Sequence, residues 1–130
     1  MFGNDSWVAD AVRSVNDDDA FAAASAQFDG SVALLVGDRT VWLKLYRGEI
    51  IDTEPYVPQF GATFQLIGDI EAWQRLAAGD HSLSRALYEA RIRMEGNKLE
   101  ANRLRDAVEL FVRHLQAVTP DDPARMEADA

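Results

Sequence analysis

A chain of 130 residues with no cysteine is one domain's worth, large enough for its own core, and it has neither a disulfide framework nor thiolate metal ligands. Its net charge of −9 gathers at the ends: residues 1–30 carry six acids against Arg13 and residues 119–130 four against Arg125, while residues 80–118 set seven cations against six acids. The missing basic cluster argues against nucleic acid as a partner, no apolar run approaches the roughly 20 residues of a stable membrane insertion, and with no secretory pattern at residues 1–7 and no peroxisomal address in Ala128-Asp129-Ala130 a cytoplasmic protein is the expectation.

Trp7, Val8, Ala11, Val12 and Val15 recur at helical spacing behind the candidate caps Asn4, Asp5 and Ser6, which predicts a first helix. Asn16 to Asp19 interrupts it, and a second helix runs from there to near Phe28. Asp17, Asp18 and Asp19 invite comparison with a hard-cation loop. Such a loop alternates its ligands around a glycine, whereas adjacent acids at a helix start complement the helix dipole, so no metal is expected.

Two strands follow from Ser31 to Tyr46, joined at Gly37-Asp38-Arg39, and a third spans Glu49 to Thr53 after a tight turn at Arg47-Gly48. Pro55 and Pro58 then end regular pairing. On the second strand Val41, Leu43 and Leu45 share one face, and Trp42 and Tyr46 the other. Cover for Trp42 is expected from the N-terminal helices or from a second subunit, which makes a homodimer one expectation.

From 62 to 67, Ala62, Phe64 and Leu66 alternate with Thr63 and Gln65 as in a half-buried strand. Asp69 caps and Gly79 stops a helix whose inner face is Ile70, Trp73, Leu76 and Ala77. A short helical segment carries Leu83 and Leu87. From 90 to 95, Ala90, Ile92 and Met94 alternate with Arg91, Arg93 and Glu95. Gly96-Asn97 then launches one long closing helix with Leu104, Val108, Phe111 and Leu115 on one face. From Thr119 on, prolines and acids leave little to bury, so the division is a domain at 1–118 and a disordered acidic tail at 119–130.

General-base material is scarce: the histidines are His81 and His114. Asp80-His81-Ser82 has the residue types of a hydrolase triad, but adjacent side chains diverge and a triad is assembled from separate elements. His114 reads as a rim residue. No dinucleotide or phosphate-binding glycine pattern is present. The expectation is a protein that is not an enzyme and has no cofactor.

The run Ala62-Thr63-Phe64-Gln65-Leu66, the helix in which Trp73-Gln74-Arg75-Leu76 leads to Gly79, and Arg91-Ile92-Arg93-Met94-Glu95-Gly96-Asn97 before a helix with Leu104 together resemble the sterol-carrier-protein lipid-transfer family. The likeness covers Val32 to Leu115. Two positions depart from the family pattern: Glu89-Ala90 where it often has a glycine, and Asn97 where it often has an aspartate. The resemblance implies an α+β single domain with a five-stranded, mixed, mostly antiparallel sheet and helices on one face around an apolar cavity. It implies binding or transfer of a sterol, fatty acid or acyl derivative without catalysis. Under that reading Phe64, Leu66, Trp73, Leu76, Ile92, Met94, Leu104, Val108 and Phe111 line the cavity, and Arg91, Arg93, Lys98 and Arg105 are the cations near enough to meet a carboxylate. Spacing alone shows only a packed interior and favours a filled core, so the cavity is what the resemblance implies; the alternative is a structural or regulatory dimerisation domain.

Overall fold

A computed structural model describes residues 5–80 and 82–118 of the chain. The Asn4 cap, His81 and the acidic tail lie outside the described residues. Helices α1 (Asp5–Asn16) and α2 (Asp19–Ser25) precede strands β1 (Asp29–Val36), β2 (Arg39–Tyr46) and β3 (Glu49–Glu54). Strand β4 (Phe64–Gly68), helices α3 (Ile70–Ala77) and α4 (Leu83–Tyr88), strand β5 (Ile92–Gly96) and helices α5 (Lys98–Arg103) and α6 (Arg105–Val118) complete the order.

One mixed sheet results, with strands in the order β3-β2-β1-β4-β5. The β1–β2, β2–β3 and β4–β5 pairs are antiparallel, and only β1–β4 is parallel. The β2–β3 connection is a two-residue turn with Arg47 at φ 48° and Gly48 at φ 87°, the left-handed pair that matches strand twist. Glycine serves a second purpose there, because a Cβ on Gly48 would lie 2.6 Å from the Ala22 carbonyl oxygen of α2. The turn and the second helix are thus packed backbone to backbone.

All the helices that join the core lie on one face. Val32, Leu34 and Val36 of β1, Val41, Leu43 and Leu45 of β2, Phe64 and Leu66 of β4 and Ile92 of β5 meet Phe21, Trp73, Leu76, Leu104, Phe111 and Leu115 in a single buried cluster. Helix α6 is the hub, with α1, α2 and α3 all packed against it. At the end of α1 the Asn16 carboxamide acts as a one-residue strand: its Nδ2 donates to the Ile50 carbonyl at 3.0 Å and its Oδ1 accepts from the Ile50 N–H at 2.9 Å. It does so beside the shift in β2–β3 register between Lys44 and Leu45, where the ladder leaves backbone groups to be satisfied.

The opposite face of the sheet corrects one expectation. Trp42 is buried to 2% exposure by neither the N-terminal helices nor a second subunit. The chain returns from β3 to β4 across this face, and Phe60 sits edge-on to the Trp42 ring with centroids 5.5 Å apart. Trp42 Nε1 donates to the Gly61 carbonyl at 3.3 Å, and Ser31 and Thr63 clip the same segment to β1. The homodimer expectation therefore loses the residue that motivated it.

Further differences are local. Ala62 and Thr63 precede β4, and Ala90 stands before β5 with φ 58°. Ile70, the first residue of α3, is 38% exposed rather than inward. The single closing helix is broken at Leu104, which ends α5 with φ −91° and ψ 3°. Hydrogen bonds run through the break, from the Leu104 N–H to Glu100 and from the Val108 N–H to Leu104. Helix α5 buries none of its own six residues, and Leu104, at the junction with α6, is the residue there that enters the core.

Candidate functional site

Between the sheet and the helices two small gaps adjoin. The inner one, about 20 Å³, is wholly apolar and lies under α2 and α6: Val32, Leu34, Leu43, Leu45, Ile50 and Leu66 form its floor, and Phe21, Leu104, Val108 and Phe111 its roof. The outer one, about 70 Å³, is bounded by Phe64, Leu66 and Met94 of the sheet, by Leu83 and Leu87 of α4, and by Ala101, Asn102, Arg105 and Val108. Leu66 and Val108 belong to both linings, so those two side chains are the partition. Asn102 and Arg105 are exposed, and the outer gap reaches the surface beside them. Outside Leu104, a groove of about 440 Å³ between Ala24, Gln27 and Phe28 on one side and Glu100 and Arg103 on the other lies over the inner gap.

Six of the nine residues expected to line a cavity come together here: Phe64, Leu66, Met94, Leu104, Val108 and Phe111. Trp73, Leu76 and Ile92 border neither gap. They are at most 1% exposed and pack at the far end of the sheet, where Trp73 Nε1 donates to the Leu35 carbonyl at 2.9 Å and Gly68 lies against both Trp73 and Ile92. The first-half contribution, from Phe21 to Ile50, went unassigned in sequence. On β2 the alternation of Leu43 and Leu45 about Lys44 carries a signal, whereas Val32 and Leu34 lie in the continuous apolar run from Val32 to Val36, and nothing local says which other residues those faces meet.

At under 100 Å³ the gaps are far below the roughly 300–1,000 Å³ of sites that enclose a small molecule. Occupancy would require α5 and the start of α6 to move away from the sheet. Every group in the partition is an unbranched or aliphatic side chain without hydrogen bonds to break, and Met94 and Leu87 are only half-buried. An apolar seam of this kind has no chemistry to offer except displacement of water from an apolar surface.

A hydrogen-bonded chain that residue spacing does not reveal also carries polar chemistry. His114 of α6, far from being a rim residue, stands between Ser14 of α1 and Asp18 at the start of α2, with Ser14 Oγ 2.6 Å from Nδ1 and Asp18 Oδ2 2.7 Å from Nε2. An ionised carboxylate only accepts, so Nε2–H donates to Asp18, and in the neutral ring Nδ1 accepts the Ser14 hydroxyl proton. The His114 hydrogen bond holds the Asp18 carboxyl below its ordinary value; partial desolvation opposes this, and the N–H groups of Ala20 and Phe21 support it. These are the residue types of a triad, yet none of the three borders the gaps or grooves described above, and the other Asp18 oxygen is occupied in capping α2 through the Ala20 N–H. The chain ties three helices together. Among the described residues no cluster of acids and histidines is arranged to hold a metal, and no helix is long and apolar enough to cross a membrane.

Comparison with solved structures places this architecture. The chain is similar to a crystal structure of sterol carrier protein 2, at TM-score 0.79 and 21% identity over 89% of this chain and 98% of that one. It is similar to a conserved hypothetical protein from Thermus thermophilus, at TM-score 0.77 and 21% identity over 91% and 90%. A weaker likeness, at TM-score 0.50 and 13% identity, covers 66% of this chain and 13% of a sec-alkylsulfatase from Pseudomonas sp.. At these identities the likeness establishes the fold. No family model and no curated protein sequence matches.

Proposed function

We propose that this chain, which has the sterol-carrier fold, binds an apolar small molecule between its sheet and helices α2, α5 and α6 and carries it without chemical change. The observation that supports the reading is the pair of adjoining apolar gaps parted only by Leu66 and Val108. They lie in a seam where the covering helix is broken at Leu104 and contributes little of its own burial. A long alkyl chain gains about 0.8 kcal/mol for each methylene removed from water. About ten methylenes correspond to roughly 8 kcal/mol, the scale of a micromolar complex, from which separating α5 and α6 from the sheet subtracts. Because a lipid in a bilayer is already out of water, the protein acts as a carrier by mass action and not by outcompeting a membrane. Ser14, Asp18 and His114 act in this reading as a clasp that keeps α1, α2 and α6 in register around the seam.

The test is titration of the purified chain with cis-parinaric acid and with its methyl ester, whose fluorescence rises in an apolar site, alongside native mass spectrometry for released small molecules. Saturable one-to-one binding of at least one probe is expected. No saturable binding of either, and no released mass, would leave a filled core and a structural domain.

A further inference from the structure

Resting on that reading, we infer that Arg105 is the specificity-determining residue of the site, and that the preferred ligand is a long-chain amphiphile carrying a carboxylate, held with its head at the outer gap and its chain against Phe64, Leu66 and Val108. The four cations near the second half of the sheet are not equivalent. Arg91 is paired with Glu89 at 3.2 Å and Arg93 with Glu95 at 3.8 Å, and Lys98 borders neither gap. Arg105 borders the outer gap, and among the described residues no carboxylate lies within ion-pair distance of it.

Its position is set by a neutral group. Arg105 Nη2 donates to Ser84 Oγ at 2.7 Å, and Ser84 Oγ in turn donates to Glu109 Oε1 at 2.9 Å. Glu109 thus reaches the guanidinium through a hydroxyl and not by a direct ion pair, which orients the fork and leaves its other donors unpaired by a carboxylate. One of five N–H donors is engaged in this way, and the others remain for a carboxylate, the partner that guanidinium geometry matches. The Asn102 carboxamide beside it adds donors on the same rim. Everything deeper in the gap is hydrocarbon or thioether. A cation at the surface end of an apolar seam favours a ligand with one anionic end, which it can grip by a charge-assisted fork, over a neutral molecule such as a sterol, whose hydroxyl offers it one weaker hydrogen bond.

The same two probes separate this inference from the reading it rests on. The parent chain is expected to bind cis-parinaric acid about tenfold more tightly than its methyl ester, equivalent to about 1.4 kcal/mol, with the difference shrinking as salt is raised. Arg105→Gln should bring the acid to the level of the ester while leaving ester binding within twofold, and Ser84→Ala should remove part of the preference. Binding of both probes by the parent with equal affinity overturns the inference alone. A preference that survives in Arg105→Gln, or a loss of both probes together in that variant, overturns it too. Failure of the parent to bind either probe removes the carrier reading and this inference with it.

Discussion

Asp18 shows how much one side chain can be asked to do at a helix junction. One oxygen accepts the Ala20 N–H and caps α2, and the other accepts from His114, so the carboxylate form is favoured in the folded state and its protonation constant is lowered. A carboxyl with a lower value folded than unfolded contributes stability above the unfolded value, about 3.9, and loses it as pH falls through the folded value. Asp18→Asn keeps a capping oxygen but no charge. Urea denaturation across a pH series should therefore find the parent more stable than Asp18→Asn from neutral pH down to about pH 5, with the two converging in stronger acid. Parallel curves would mean that the carboxylate's charge adds nothing at the clasp.

At the scale of elements, the chain between β3 and β4 behaves as a cover for the sheet's second face. Pro55 and Pro58 keep it out of the ladder, Gly61 is in the left-handed region with φ 81°, and its carbonyl accepts from both Trp42 and Ser31. The energetic weight falls on Trp42, which is buried, and not on Phe60, which is 77% exposed. Trp42→Ala should cost about 3 kcal/mol in chemical denaturation, at the lower end for buried aromatic truncations. The mass measured by light scattering should stay unchanged. A fall in mass would return Trp42 to a subunit contact. The break at Leu104 belongs to the same scale: α5 is six residues long with no buried side chain of its own, so under the proposed function it is the segment that would leave the sheet at least cost.

For the whole molecule, a core that is nearly filled and yet parted by soft aliphatic side chains can carry a ligand only by exchanging its own packing for the ligand's. Val108 faces both gaps, so Val108→Phe places a ring where the ligand would enter. With about 70 Å³ already open beside it, the variant should lose no more than about 1 kcal/mol, the mild end for enlarged core residues, and bind cis-parinaric acid at least tenfold more weakly. Stability lost by more than about 3 kcal/mol with binding retained would put the ligand elsewhere. How far this was legible beforehand differs from residue to residue. Periodicity alone assigned the buried faces of β2, β4 and α6, since Val41, Leu43 and Leu45, Phe64 and Leu66, and Val108 and Phe111 declare their buried sides through local spacing. Asp69 and Gly79 bounded α3 through turn chemistry that is equally local. It took the packed chain to show that Trp73, Leu76 and Ile92 lie at the far end of the sheet away from the gaps, and that Phe21 of α2 roofs them. Packing brought His114 to Ser14 and Asp18, 100 and 96 residues away. It also left Arg105 without a direct carboxylate partner among the described residues while Arg91 and Arg93 have theirs. Spacing along a chain says which way a side chain points relative to its own element; what stands opposite is set by how distant elements close on one another, and that contact carries no local signature.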